Sequence, residues 1–97
     1  MLSKIPIDLS RINKKDIDKE ILRVGMIAEL DAINLYEEMA ALTGNNAIKE
    51  VLLDIAKEEK THVGEFQTLL LREDKEQMKE LDEGKKEIEE LIGKMGK

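Results

Sequence analysis

Apolar residues recur along this chain at the three- and four-residue spacings of helices, in three blocks separated by Gly, Asn and Asp. The first block is the densest. Over residues 21–42 only Arg23, Glu29, Asp31, Asn34, Glu37 and Glu38 are polar, and the other sixteen positions are apolar or Gly. This predicts a helix over residues 16–43, stopped by Gly44, Asn45 and Asn46. The second block puts Ile48, Leu52, Ile55, Ala56, Val63, Phe66 and Leu70 on one face. It predicts a helix over residues 47–72, capped by Asn45 or Asn46. The connection, roughly two to three residues long, makes the two helices antiparallel neighbours. Asp74, Lys75, Glu76 and Gln77 read as a variant capping box that opens a third helix. That helix carries Met78, Leu81, Ile88, Leu91, Ile92 and Met95 as its stripe, and Gly84 is where it could be interrupted. Pro6, Ser10 and Asn13 argue against a packed element over residues 1–14. The expected organisation is therefore an all-α chain: an N-terminal arm (1–14), a helical hairpin (15–72) and a C-terminal amphipathic helix (73–97).

The first helix is apolar over most of its circumference, where an ordinary surface helix shows a single stripe of about 100°. One antiparallel neighbour and a short third helix cannot cover it. A second copy of the chain must supply the missing wall, so that two hairpins complete a four-helix bundle by dimerisation. Composition agrees. A chain of 97 residues is one small domain, and with one Tyr, one Phe and no Trp its core must come from Leu, Ile, Val, Ala and Met. A chain this short buries only about 60–65% of its unfolded surface, so partner chains matter to its stability. There is no Cys, which excludes disulfides and thiolate metal ligands. Twenty-two acids against sixteen bases give a net charge of −6, the wrong sign for nucleic acid and the right one for attracting cations. No stretch reaches the roughly 18 apolar residues of a membrane span, and residues 1–10 carry no long apolar run of the signal-peptide type.

Against this background three polar residues stand out. Glu59 and His62 are three apart and share a helix face, and that face is otherwise the apolar stripe of the second helix. Glu29 interrupts the run Val24-Gly25-Met26-Ile27-Ala28 and Leu30 on the first. Ionisable groups are rarely buried unless paired or bound to a metal. One Glu from one helix plus Glu-x-x-His from another is half the ligand set of a di-iron carboxylate bundle. Two copies about a two-fold axis would bring four carboxylates and two imidazoles. The expectation is a di-iron site on a dimer axis, with Glu59 bridging and Glu29 and His62 terminal. Zinc, manganese or calcium could substitute for iron there. Tyr36, seven residues after Glu29, lies on the same face two turns on. It is either a partner of the centre or a core tyrosine with its hydroxyl near solvent. Asp31, with Glu58 and Glu65, is either an acidic path for metal or part of a solvated face. The alternative for the main motif is a buried polar pair, Glu29 with His62, inside a non-catalytic dimerisation scaffold.

In the segments Ile27-Ala28-Glu29-Leu30-Asp31-Ala32-Ile33-Asn34-Leu35-Tyr36 and Ile55-Ala56-Lys57-Glu58-Glu59-Lys60-Thr61-His62, the chain resembles the encapsulated ferritins, two-helix ferritin-like proteins that are cargo or fusion domains of encapsulin compartments. The resemblance covers residues 21–71. It implies ferroxidase activity, with Fe(II) oxidised by dioxygen at a site formed between two subunits. It implies Glu29, Glu59 and His62 as ligands with Tyr36 nearby, and Asp31 at an acidic access position. It also implies dimers assembled into a ring, commonly a decamer, and an encapsulin shell as partner. The expected location is the lumen of that shell in the cytoplasm, with no membrane and no nucleic acid involved. The sequence departs from the pattern at Ala28, where a neighbouring access carboxylate is missing, and at Leu35, where some members carry a tryptophan. A rubrerythrin-like peroxidase would use the same carboxylates on hydrogen peroxide. The chain has no Cys-x-x-Cys to house a rubredoxin-type electron donor.

Overall fold

The computed structural model describes Lys14 and residues 16–96. The arm expected over residues 1–14 lies outside the described residues except for Lys14. Three helices follow in order: α1 (Ile17–Leu42), α2 (Asn46–Glu73) and α3 (Lys75–Lys94). No strand occurs among the described residues. The fold is all-α, an antiparallel hairpin followed by a third helix.

The ends of the helices have identifiable causes. Asp18 and Glu20 lie in the first turn of α1, where the N-terminal dipole favours acids. At the other end, Thr43 turns the backbone extended (φ −76°, ψ 139°) while its N–H still reaches Met39 O. Its hydroxyl then accepts from the Asn45 N–H at 3.1 Å. The helix thus stops where Gly44 suggested, but not by a left-handed glycine. Among the described residues Gly96 alone has positive φ. Asn45 is the cap of α2, its side chain accepting from the Ile48 N–H at 3.1 Å. Gly84 does not interrupt α3, which runs unbroken from Lys75 to Lys94.

Asp74 is the single non-helical residue between α2 and α3, and it holds both. Its Oδ1 accepts from the Gln77 N–H at 2.9 Å, which caps α3. Its Oδ2 accepts from Arg23 Nη2 of α1 at 2.6 Å. The first turns of α3 therefore rest against the hairpin, over a groove lined by Met26, Ile27, Leu30, Leu70 and Leu81. Beyond that point α3 leaves the hairpin, and Ile88, Leu91, Ile92 and Met95 are exposed.

The core is thin. Among the described residues Ile33 and Ala40 of α1 and Ala56 and Leu70 of α2 are the buried apolar ones, while most of α1 is only half-buried. The radius of gyration is 17.1 Å, where a compact chain of this length has about 13 Å. The helix that the sequence marks as apolar nearly all round is therefore covered on one side only.

Candidate metal centre

Glu29 sits midway along α1, and Glu59 and His62 sit one turn apart on α2. The antiparallel crossing brings them together. His62 Nδ1 lies 3.3 Å from Glu29 Oε2 and 3.4 Å from Glu59 Oε2. One ligating atom from each of the three falls within 4.8 Å of the others. The carboxylates are 19% and 20% exposed and the imidazole 44%. All three border solvent rather than lying inside the hairpin.

Chemically this grouping is incomplete. One ring nitrogen faces two carboxylates, both beyond the usual 2.7–3.2 Å N–H···O range, and a single N–H cannot align on both. Two carboxylates this close repel unless a positive charge sits between them. A cation among the three atoms would engage all of them. The donor set of two oxygens and one nitrogen is one that iron and zinc accept. The residues present therefore fit a metal ion. They would not fill its coordination shell, because iron takes more than three donors. The open side is a cleft of about 960 Å³, bordered by Glu29, His62, Glu65, Phe66 and Leu69.

The other residues singled out in the sequence stand apart from this group. Asp31 is half-buried, and two residues from Glu29 it points about 200° around α1. It is not among the grouped ligating atoms. Tyr36 is half-buried and about 10 Å along the axis from Glu29. Glu58 and Glu65 are both exposed, and Glu65 borders the cleft. Ion pairs not expected from the sequence tie the hairpin together around the site. Lys60 Nζ reaches Glu37 Oε2 at 2.9 Å across the two helices. At the far end Arg23 grips Asp74. The Gln77 N–H, then Arg23 and Lys19, hold the Asp74 carboxyl below its ordinary pKa, against burial that pushes it up. Gly25 was also missed. A Cβ there would lie 2.8 Å from the Phe66 ring, so any larger residue would force the ring to shift. A glycine inside an apolar helical run was the one available signal.

A half-bundle presenting two Glu and one His on an open face is the architecture of the ferritin-like carboxylate proteins. The chain belongs to the rubrerythrin family, whose profile matches residues 20–95, and within it to the encapsulated ferritins. It is similar to a ferritin-like–encapsulin shell fusion protein of Pyrococcus furiosus, 57% identical over 74 residues, which is 76% of this chain and 21% of that protein. It is also similar to the encapsulin nanocompartment cargo protein EncC of Myxococcus xanthus, 38% identical over 71 residues, which is 70% of this chain and 55% of that protein. The chain thus spans about a fifth of the first and just over half of the second. Among solved structures it matches the encapsulated ferritin domain from Pyrococcus furiosus with a TM-score of 0.82 and 49% identity, covering 96% of this chain and 97% of that one. No described helix is long and apolar enough to cross a membrane.

Proposed function

We propose that the chain is a ferroxidase that oxidises Fe(II) to Fe(III) with dioxygen, at a di-iron site completed by a second copy of itself. The observation that carries this reading is the convergence of Glu29, Glu59 and His62 on one open cleft. A two-fold partner facing that cleft doubles the donors and covers the exposed side of α1 in one step. Glu59 would be the bridging carboxylate for two ferrous ions, with Glu29 and His62 as terminal ligands. Each Fe(II) is substrate and gives one electron to dioxygen.

The chain's own part is to bind, orient and release. Two carboxylates per copy neutralise cations that would repel one another at close range. Arg23 paired with Asp74 ties α1 to the end of α2, and the exposed Lys60–Glu37 pair adds little to it. Release of Fe(III) runs outward past Glu65, which borders the cleft, and on over the acidic surface, because a net charge of −6 draws cations along it. Tyr36, two turns from Glu29, is the candidate electron-donating neighbour of the centre. Zinc, manganese or calcium would occupy the same donors without the same turnover.

The encapsulin association of its relatives supports the rest of the reading. Dimers assemble into a ring, a decamer, which works inside an encapsulin compartment in the cytoplasm and stores iron there. Oxygen uptake on addition of Fe(II) tests the reaction. The wild-type chain should consume dioxygen with Fe(III) formation, and Glu59→Ala should fall to the rate of Fe(II) in buffer. Equal rates in the two proteins would refute it.

A second reading has one observation in its favour. His62 Nδ1 lies within ion-pair distance of both carboxylates, so Glu29 and His62 can pair with each other as a scaffold module would require. Metal bound only by the folded dimer must raise its melting temperature, whereas a scaffold would be indifferent to iron. Running the oxygen assay with hydrogen peroxide separates the ferroxidase from a rubrerythrin-like peroxidase.

A further inference from the structure

Glu29 and His62 meet where α1 and α2 cross face to face. One turn back along α1 is Gly25, and one turn forward along α2 is Phe66. In an antiparallel pair these two steps lead to the same place, so Gly25 and Phe66 are the next contact in the same register. They meet at unusually short range. A Cβ on Gly25 would lie 2.8 Å from Phe66 Cε1, 2.9 Å from Cδ1 and 3.0 Å from Cζ. No real Cβ tolerates such contacts, so the flat ring rests on bare α1 backbone. The obstacle is three atoms of one aromatic ring, so the ring as a whole must shift to admit a Cβ.

Glycine weakens a helix interior relative to alanine, and nothing local to α1 calls for one at residue 25. Its neighbours Val24, Met26 and Ile27 are all larger. The close approach of Phe66 is what the missing Cβ allows. Phe66 also borders the cleft beside Glu29 and His62, so one ring touches the helix crossing and the edge of the site together.

We infer that Phe66 seated on Gly25 is a positioning device that fixes the spacing and axial register of α1 against α2, and thereby brings Glu29 within reach of His62 and Glu59. Phe66 is a positioning residue and binds no metal itself. The inference rests on the metal reading of the three-residue group. Pushing the helices apart by a few tenths of an ångström, or sliding them by a fraction of the 1.5 Å helical rise, moves Glu29 relative to two ligands fixed on the other helix. Residues that orient a ligand from behind typically change metal affinity about 10–100-fold when altered.

The test uses Co²⁺ as probe, because its visible bands report ligand geometry, with dimer mass and metal-free melting temperature measured alongside. Gly25→Ala should keep helicity and dimer mass, weaken Co²⁺ binding by about tenfold or more and alter its bands. Phe66→Leu, which cannot clash, should weaken binding less. Gly25→Ala combined with Phe66→Leu should recover affinity and bands toward wild type, because the shorter side chain makes room for the new methyl. That recovery is the result a general loss of stability would not give. Should Gly25→Ala fail to fold, the double variant and Phe66→Leu carry the comparison. Wild-type bands and affinity in Gly25→Ala, or a double variant no better than Gly25→Ala, would overturn the inference. A wild-type protein that binds no Co²⁺ would instead overturn the metal reading beneath it.

Discussion

The hairpin and α3 are both unfinished in a single chain, but in different ways. Along α1 and α2 the incomplete side gathers ionisable groups of opposite character, two carboxylates and an imidazole, around one cleft. Along α3 the incomplete side is apolar, with Ile88, Leu91, Ile92 and Met95 exposed and none of its residues buried. The two kinds of exposure imply different completions. A cluster of ligating atoms is completed by a cation and by further ligands, whereas an apolar stripe is completed by another apolar surface. One residue, Asp74, joins the two regions and fixes the direction in which α3 leaves. Metal binding and higher assembly are therefore expected to be separable by mutation.

The sharpest break comes from the hairpin. Glu59→Ala should abolish two-iron binding per dimer while leaving the helical content intact, as read by metal analysis and circular dichroism. The converse variant is Ile88→Asp with Leu91→Asp on α3. Each of these side chains is worth about 1.5–3 kcal/mol when fully covered, and a buried unpaired Asp adds a further penalty. The protein should then fall to dimers in sedimentation velocity while iron per dimer is unchanged. If the α3 variant also lost its iron, the two regions would not be independent.

The joint gives a smaller effect. Arg23→Ala removes the partner of a nearly buried carboxylate, so the metal-free melting temperature should fall by several degrees, about 4–8 °C for each kcal/mol lost in a domain this size. Iron stoichiometry should hold. The smallest effect is in acid. The folded Asp74 carboxyl titrates below its ordinary value of 3.8, chiefly because the Gln77 N–H donates to it. Its contribution is therefore complete above that value and is lost as pH falls through the lower folded pKa. Asp74→Asn should be less stable than wild type at neutral pH, and the gap should narrow below about pH 4. A gap of constant size in chemical denaturation across that range would remove the carboxylate's charge from the explanation.

Much of this architecture was legible in the sequence, for physical reasons that differ from residue to residue. Helix spacing made the meeting of Glu29, Glu59 and His62 readable, because acids and an imidazole on an apolar stripe stand out without any knowledge of the fold. Asn45 and Asp74 were readable as caps because the hydrogen bonds they make are local, three residues away. Gly44 marked the end of α1 correctly, although the device there is Thr43, with an extended backbone and a side-chain acceptor. Gly84 was read as a weak point and is ordinary helix. Arg23 with Asp74 spans 51 residues, and Gly25 with Phe66 depends on which turn of α2 faces which turn of α1. Neither can be found from periodicity, which assigns a residue to a face but not to a partner.

The central claim is that two copies share one iron site, and anaerobic Fe(II) titration followed by native mass measurement tests it most directly. Two irons per two chains, bound to the dimer and absent from any monomer, is the predicted result. Iron held by single chains, or dimers that form fully and take up none, would contradict it.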